Sequence, residues 1–253
     1  MTTDLRRRIR TLSRPELDLP PPFRLVTARE SVDAFRHAVA IADSEGAGTL
    51  VHVGRFDMAE FAVVLEPDEP LHLARRTFYA GCVALADALL VHAPPEKPVV
   101  FEWPDAVRVD GGLVGGARLA WPADGDEAAP PRWLVFGAMI RTVALGEDEP
   151  GLHPLGTALE AEGFETIGTG GLAESFARHL MVAVDAWQER GFAAVGRDYL
   201  KRLAPQAGTE FGLADNGDLL VRRRDGTEIA RRRLATALAQ PSWFDPATGG
   251  PRR

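Results

Sequence analysis

The chain has 253 residues, of which 45% are apolar and 26% are charged, a composition typical of globular proteins and not of disordered or fibrous ones. Its formal net charge of −7 argues against a general nucleic-acid-binding protein, so we expect no DNA partner. No segment approaches the ~20 apolar residues of a membrane span, and the N-terminal arginines are not followed by the apolar core of a signal peptide. We therefore expect a cytoplasmic protein without a membrane partner.

The N-terminal part of the chain divides into a polar tail and a helix. Residues 1–22 are rich in arginine and end in Pro20-Pro21-Pro22, which disfavours a helix, so we interpret them as a tail laid over the domain. Thr27 and Glu30 have the spacing of a capping box, and the apolar residues after them recur at helical intervals. The pattern predicts a helix that begins near Thr27 and ends at Gly46.

The middle of the chain alternates short apolar runs with longer helical ones. Asp110-Gly111 is a strong signal for a two-residue hairpin between two such runs. Cys82, the sole cysteine, lies inside an apolar helical pattern and is expected to be a small buried side chain. The predicted strands are 49–53, 61–65, 99–103, 107–109, 113–121 and 133–143, and the predicted helices are 71–92, 174–190 and 192–203.

A break containing proline and glycine at 204–208 separates the last part of the chain. Beyond it, Asn216-Gly217 and Asp225-Gly226 divide three short strand patterns, which predicts a small β module at 204–253. The main domain is then 23–203. The expected fold class is α+β, with a sheet flanked by helices and followed by the β module.

Most motifs that mark a catalytic or metal site are missing from the sequence. The six histidines and the single cysteine show no metal-ligand spacing, and no G-x-S-x-G motif occurs, so we expect no metal site. Gly168-Thr-Gly170-Gly171 is either a phosphate cradle or the entry to a helix, and the helix entry is favoured because no Walker lysine follows. Arg222–Arg224 and Arg231–Arg233 form a basic stripe, which is either a solvated face or a docking site for an acidic protein.

The stretch from Phe101 to Trp121 carries the most specific features. Trp103-Pro104 at the end of an apolar strand removes a backbone donor and fixes a sharp exit from the strand. Gly115-Gly116, in the strand after the hairpin, leaves a flat surface on which a ligand can lie against the backbone. These features predict a ligand site on the strands of the hairpin.

This stretch resembles the biotin and lipoate protein ligase family, in which a K-W-P-N-D segment, a hairpin and a (K/R)-(L/V)-(A/G)-G segment form the floor of the acyl-adenylate site. The matching residues here are Glu102–Ala106 and Leu113–Gly116. In the same order along the chain, Glu30–Asp33 is similar to the family's D-S-T-N helix and Phe136–Arg141 to its G-I-G-I-N strand. Phe211–Leu220 looks like the start of the small SH3-like C-terminal domain of the biotin ligases. The resemblance implies a mixed sheet flanked by helices, with an SH3-like module after it.

Two departures from the family's pattern change the charge expected at the site. Gly54–Met58, with one arginine and one acid, replaces the arginine-rich loop over the adenylate, and Glu102 replaces the lysine before Trp-Pro. At an effective dielectric of 20, a unit charge about 4 Å from a phosphate contributes on the order of 4 kcal/mol, as an upper bound. A glutamate removes this attraction and adds a comparable repulsion, so we expect poor ATP binding unless another cation compensates. The candidates for that cation, and for any catalytic role, are Arg55, Arg118 and Arg141.

The resemblance implies one of two functions. The first is an atypical ligase or acyltransferase that acts on a biotin- or lipoate-like acid and a carrier-protein lysine. The second is a non-catalytic homologue that binds a small acyl ligand or a carrier protein. Biotin, lipoate and an acyl-adenylate are the ligands to expect.

Because neighbouring strand residues face opposite ways, Glu102 is expected on the ligand face, unless an ion pair with Arg118 or Arg141 makes it a surface residue. The predicted ligand-binding residues are Glu102, Trp103, Pro104, Asp105, Gly115, Gly116 and Gly137.

Overall fold

In the computed structural model, which describes residues 17–144, 156–164 and 168–252, a seven-stranded sheet forms the centre of the main domain. Its strands are β1 (Arg24–Ala28), β2 (Thr49–Gly54), β3 (Met58–Leu65), β4 (Val99–Glu102), β5 (Ala106–Val109), β6 (Gly112–Ala120) and β7 (Leu134–Arg141). Their order across the sheet is β1-β2-β3-β7-β6-β5-β4. Strands β1 and β2 are parallel and every other neighbouring pair is antiparallel, so the sheet is mixed.

Helices pack against both faces of this sheet. They are α1 (Ala34–Glu45), α2 (Leu71–Ala74), α3 (Thr77–Leu90), α4 (Thr169–Arg190) and α5 (Phe192–Leu200). On one face, α1 buries its alanines against β2, β3 and β7. The opposite face is covered by α3 and α4, with α5 packed on both, and it carries the larger apolar cluster. Within that cluster the ring of Phe136 on β7 stacks on Phe176 of α4, with 5.4 Å between the ring centroids.

The first helix begins later than the capping-box pattern predicts. Thr27 lies in β1 and pairs with β2, so the prediction that it caps the helix is wrong. The helix begins instead at Ala34, where the Asp33 carboxylate accepts a hydrogen bond from the backbone N–H of Arg36 at 3.0 Å. The predicted end is confirmed, because Gly46 has a φ of +72° and caps the last turn.

The predicted helix at 71–92 is divided into α2 and α3 at Arg75-Arg76. The Arg76 guanidinium donates to both carboxylate oxygens of Glu69 at 2.8 Å and to the carbonyl of Asp215 at 2.7 Å. The break therefore ties the C-terminal part of the chain to the helical layer. Cys82 on α3 is fully buried, as predicted, and burial raises the pKa of its thiol.

The hairpin between β5 and β6 has the predicted turn. Asp110 has a φ of +48° and Gly111 a φ of +85°, and a two-residue type I′ turn needs positive φ at both positions. The turn fixes the pairing of β5 with β6 and so sets the positions of Asp105 and Gly116, which bracket the hairpin.

The C-terminal part of the chain forms small antiparallel sheets. Its elements are β8 (Thr209–Leu213), β9 (Leu219–Arg223), β10 (Glu228–Arg232), α6 (Leu234–Leu238), β11 (Phe244–Asp245) and β12 (Gly250–Pro251). The first three strands match the predicted ones, whereas α6 and the β11–β12 pair have no counterpart among the predicted elements. The α+β class, with a mixed sheet flanked by helices and a small β module, is confirmed. The SH3-like character of the module and the domain boundaries stay predictions.

The described end of the N-terminal tail lies along α4. The backbone N–H of Asp18 donates to Glu174 at 2.9 Å, and Leu17 and Leu19 pack against the larger apolar cluster. Among the residues that the structure describes, no helix is long and apolar enough to cross a membrane.

Candidate functional site

The predicted site residues on β6 and β7 lie on the face of the sheet that also carries α1. Gly116 pairs with Met139, and Arg118 pairs with Gly137. Because side chains alternate between the two faces of a strand, these four residues and Arg141 share one face. We refer to it as the α1 face.

Two of the three predicted glycines, Gly116 and Gly137, lie on this face, and each has an aromatic ring directly above it. A Cβ atom added to Gly116 would lie 2.4 Å from the indole of Trp243, and one added to Gly137 would lie 2.5 Å from the ring of Phe35 on α1. Both distances are too short for any side chain larger than hydrogen. In this conformation, side chains of the same chain therefore lie against both glycines.

The third glycine is required by the sheet itself. Gly115 has a φ of +152°, and a Cβ atom there would lie 2.0 Å from the carbonyl oxygen of Met139. The pairing of β5 with β6 shifts register at this point, as at a β-bulge. Glycine at this position therefore lets β6 approach the backbone of β7, whether or not a ligand binds.

Asp105 is fully buried at the corner between β4 and β5 and holds the C-terminal end of the chain. Its carboxylate accepts hydrogen bonds from the hydroxyl of Ser242 at 2.8 Å and from the backbone N–H of the same residue at 3.1 Å. Burial raises the pKa of this carboxyl group to about 6, the negative charge of Glu102 adds to that increase, and the bonds from Ser242 act against it. A carboxyl group with this pKa titrates between the ionised and the neutral form near neutral pH.

Trp103 and Pro104 contact the opposite side of the sheet. The indole N–H of Trp103 donates to the hydroxyl of Tyr79 on α3 at 3.1 Å, and its ring packs against the larger apolar cluster. The carbonyl of Pro104 accepts a hydrogen bond from Tyr199 on α5 at 2.9 Å. The Trp103 side chain is thus not among the groups that meet on the α1 face.

Glu102 is exposed and forms an ion pair that joins β4 to β5. Its carboxylate accepts a hydrogen bond from the guanidinium of Arg108 on β5 at 2.8 Å. Glu102 is thus a surface, ion-paired glutamate, which was one of the two alternatives, and its partner is Arg108 in place of Arg118 or Arg141. The pairing register explains the difference, since Glu102 lies opposite Ala106 and its diagonal neighbour on the same face is Arg108.

Arg118 connects β6 to the start of α1. Its two terminal nitrogens donate to the two carboxylate oxygens of Asp33, each at 3.0 Å. The guanidinium also lies 4.5 Å from the ring of Phe35 and 4.8 Å from that of Phe244. With only 9% of its side chain exposed, Arg118 is a buried cation whose charge is matched by Asp33.

The other two candidate arginines are also bonded within the chain. Arg55, in the loop between β2 and β3, forms a two-point contact with Asp57 at 3.1 and 2.8 Å. The hydrogen bond from Arg55 lowers the pKa of the Asp57 carboxyl group. Arg141 donates to the carbonyl of Thr157 at 3.2 Å and to that of Pro251 at 2.9 Å. Arg118 pairs with Gly137, which lies four residues before Arg141 on β7. At about 3.4 Å per residue, the two arginines are therefore about 14 Å apart along the strand direction.

The N-terminal end of α1, which points onto the same face, is occupied by carboxylates. The backbone N–H of Ala34 donates to Glu60 on β3 at 2.7 Å, and Asp33 caps the next turn. Burial raises the pKa of Glu60, and the charge of Asp33 raises it further, whereas Arg118 lowers it. These acids take up donors that a phosphate at a helix N-terminus would need.

Residues 241–252, which we call the C-terminal segment, cover the centre of the α1 face. Trp243 is only 1% exposed, and its indole N–H donates to the carbonyl of Ala117 at 3.1 Å. The strands β11 and β12 pair with each other, and β12 also contacts β6 and β7. Trp243 lies in a small apolar cluster with Met58, Ala106, Leu113 and Met139.

The sequence of the chain matches a known family over most of its length. The model of the biotin/lipoate A/B protein ligase family matches residues 19–201, which is well over half of the chain. The chain belongs to this family. No curated protein matches it in sequence.

Three solved structures illustrate what this family member is similar to. A biotin protein ligase-like protein of unknown function from a Silicibacter species is 28% identical, with a TM-score of 0.77 over 89% of this chain and 100% of that one. The biotin protein ligase of Aquifex aeolicus, solved with biotin and ATP, is 16% identical, with a TM-score of 0.58 over 83% and 98% of the two chains. The Leishmania major ligase, solved with biotinyl-5-AMP, is 15% identical, with a TM-score of 0.52 over 83% and 99%. At this identity the two ligases show a shared fold alone.

Three residues of the candidate site were missed in the sequence. Glu60 is an acid inside the otherwise apolar strand β3, and a lone acid in a buried strand is a signal of a polar site. Trp243 and Phe244 form an aromatic pair in a polar C-terminal stretch. Large aromatic residues there indicate that the stretch packs against something, although the sequence does not show what.

The glycine-rich motif and the possible metal-ligating residues can also be located in this family member. Helix α4 begins at Thr169, inside the glycine-rich motif, where both interpretations of the motif place the start of a helix. Thr169 also donates to the carbonyl of Arg55 at 2.6 Å, so α4 holds the short loop between β2 and β3. Over residues 17–144, 156–164 and 168–252, no group of three or more His, Cys, Asp or Glu side chains is placed to hold a metal ion.

A cavity of about 890 Å³ lies on the opposite face of the sheet, between α3 and α4. Its lining includes four carboxylate side chains, of Glu66, Asp68, Glu69 and Asp185, and no arginine or lysine. The negative charge of these groups would repel an acidic ligand. The α1 face, which carries Arg118 and Arg141, is therefore the better candidate for an acyl acid.

Proposed function

We propose that this member of the ligase family binds a small carboxylic acid with an apolar chain, similar to biotin or lipoate, on the α1 face, and that it does not carry out ordinary ATP-dependent adenylation. One observation carries the proposal. Arg55 and Arg118, two of the three candidate arginines, each make two-point contacts with an acid of the same chain. Cations held in this way are already matched in charge and attract a phosphate weakly.

The acids on the α1 face strengthen the argument against a nucleotide. Glu60 and Asp33 accept the first backbone donors of α1, and Glu102 occupies the position where the family has a lysine. A unit charge about 4 Å from a phosphate is worth at most about 4 kcal/mol at an effective dielectric of 20. Glu102 is more than half exposed and paired with Arg108, so its own effect is a fraction of that. The buried acids at α1 are less screened by solvent.

The apolar part of the site suits an acyl chain. Beside Gly116, the walls are formed by Met58, Leu113 and Met139, and the methionines can adapt to ligands of different shape. Arg141 stands at one end of this surface and donates to two backbone carbonyls. A ligand carboxylate is a stronger acceptor than either carbonyl, so Arg141 is our candidate for binding the acid group.

An atypical ligase or acyltransferase that acts on a carrier-protein lysine is the competing function. The fold that the chain shares with ligases solved with biotin and ATP, or with biotinyl-5-AMP, favours it. The exposed basic side chains of β9 and β10, Arg222, Arg223, Arg231 and Arg232, favour an acidic carrier protein as a partner in either case. The two functions differ in whether ATP is bound and consumed.

Calorimetric titration with biotin, lipoate, octanoate, ATP and biotinyl-AMP separates these functions. We expect one of the acids to bind and ATP to show no measurable binding. Arg141→Gln should weaken binding of that acid at least tenfold, whereas Arg132→Gln, an exposed arginine away from the site, should leave it unchanged. Formation of biotinyl-AMP from biotin and ATP at an ordinary enzymatic rate would overturn the proposal in favour of the ligase.

A further inference from the structure

The C-terminal segment touches every part of the α1 face that the proposed ligand would use. At one end Ser242 binds Asp105, in the middle the indole of Trp243 lies on Gly116, and at the other end the carbonyl of Pro251 accepts a hydrogen bond from Arg141. The ring of Phe244 also lies 4.8 Å from Arg118. An acyl ligand and this segment therefore cannot occupy the face together.

Trp243 anchors the segment, and the partly buried ring of Phe244 packs beside it. Trp243 is 1% exposed, whereas residues 246–249 at the tip of the β11–β12 turn are all exposed. The two strands have only two residues each, and a strand pair of this length has little stability of its own. A part of the chain held by two aromatic side chains and a few hydrogen bonds can open without unfolding the sheet beneath it.

The site that the Trp243 indole occupies is suited to other apolar groups of similar size. Its floor is the backbone at Gly116, and its walls include the flexible side chains of Met58 and Met139. The indole is held there by apolar contact and by one hydrogen bond, to the carbonyl of Ala117. A flat ring or an acyl chain can make the same apolar contacts once the indole has left.

We propose that the C-terminal segment is an intramolecular plug, which competes with the acyl ligand for the α1 face and must open before the ligand binds. The inference rests on the proposed function, since it names the regulation of the same site. Opening uncovers Gly116 and removes the Pro251 carbonyl from Arg141 in one movement. Ligand affinity is then set by the equilibrium between the closed and open forms as well as by the contacts of the ligand.

The proposed plug predicts in which direction ligand affinity changes when the closed form is weakened. When only the open fraction of a protein binds ligand, the apparent dissociation constant equals the intrinsic one divided by that fraction. Weakening the closed form must therefore tighten ligand binding. If Trp243 were instead a permanent wall of the site that contacts the ligand, removing it would weaken binding.

The test uses the full-length chain and calorimetric titration with octanoate, lipoate and biotin. Trp243→Ala is expected to tighten binding of the preferred acid at least tenfold, and Ser242→Ala, which removes one bond to Asp105, two- to fivefold. Ala247→Ser, at an exposed position in the same segment, is the matched control and should leave the affinity unchanged. Circular dichroism confirms that each variant is folded.

A second measurement follows the plug in the unaltered sequence. Chains labelled with 5-fluorotryptophan give one fluorine resonance for each tryptophan, and the resonance that disappears in Trp243→Phe identifies Trp243. Saturation with the acid should move this resonance to the position of a solvent-exposed indole. This measurement needs no destabilised variant.

The outcomes separate the plug from the proposed function. Tighter binding by both variants, together with a shifted Trp243 resonance, supports the plug. Acid binding that is unchanged or weakened in Trp243→Ala, with an unmoved resonance, overturns the plug while the proposed function stands. Absence of acid binding in every variant overturns the proposed function and the plug with it.

Discussion

Replacing Asp105 with asparagine tests the electrostatics of the buried corner beneath the C-terminal segment. Burial raises the pKa of this carboxyl group to about 6, whereas an aspartate in an unfolded chain has a pKa of about 3.9. The difference of roughly 2 pKa units corresponds to about 3 kcal/mol. Because the folded protein holds the proton more tightly than the unfolded chain, the contribution of Asp105 to stability falls as the pH rises from about 4 to about 6 and is constant above that.

The assay is urea unfolding of the natural protein and of Asp105→Asn at pH 4.5 and at pH 7.5. The asparagine cannot ionise and keeps an oxygen that accepts a bond from Ser242, so the variant should gain about 2 kcal/mol relative to the natural protein between the two pH values. Asp68→Asn, at an exposed position, is the control and should show the same stability difference at both. A difference between Asp105→Asn and the natural protein that does not change with pH would refute the reasoning, because it would mean that Asp105 keeps one charge state over the whole range.

Three further predictions concern ligand, packing and nucleic acid. Glu102→Lys should tighten biotinyl-AMP binding in calorimetry by less than tenfold, because the side chain is exposed and pairs with Arg108; no change would argue against a ligand on that side. Gly116→Ala should lower the free energy of unfolding in urea by about 1–3 kcal/mol through overlap with Trp243 and the Asp105 carbonyl, and an unaltered value would contradict the packing. Fluorescence anisotropy should detect no duplex DNA binding at physiological ionic strength, given the net charge of −7, and tight salt-sensitive binding would be the contrary result.

Local sequence signals predict the fold well where the decisive contacts are local. The Asp110-Gly111 turn is one example, because the two residues themselves supply the positive φ angles that the hairpin needs. Local sequence signals fail where a residue far away in the sequence determines the local structure. Thr27 matches a capping box, yet pairing with the parallel strand β2 places it in β1. The break in the helix at Arg76 depends on the carbonyl of Asp215, which is 139 residues further along the chain.

The same distinction between local contacts and contacts distant in sequence applies to the candidate site. The ion pair of Glu102 could have been predicted, because the three-residue connection between β4 and β5 sets their register and this register makes Arg108 a diagonal neighbour on the same face. Trp243 could not have been placed, since it binds the carbonyl of Ala117 from 126 residues away and only the path of the C-terminal module brings it there. Motifs therefore indicated which strands form the α1 face and gave no information on what lies against it.

The contacts of Arg141 connect the charge of the ligand to the opening of the C-terminal segment. Arg118 and Arg55 remain matched by Asp33 and Asp57 whether the segment is closed or open, since none of these residues belongs to it. Opening removes the acceptor that Pro251 provides to Arg141 and the ring of Phe244 that lies over Arg118. A ligand with a single carboxylate can replace that acceptor, whereas the phosphate of an adenylate would need a further cation for its additional charge. On the proposed mechanism, the movement that uncovers the site thus selects a simple acid over an adenylate.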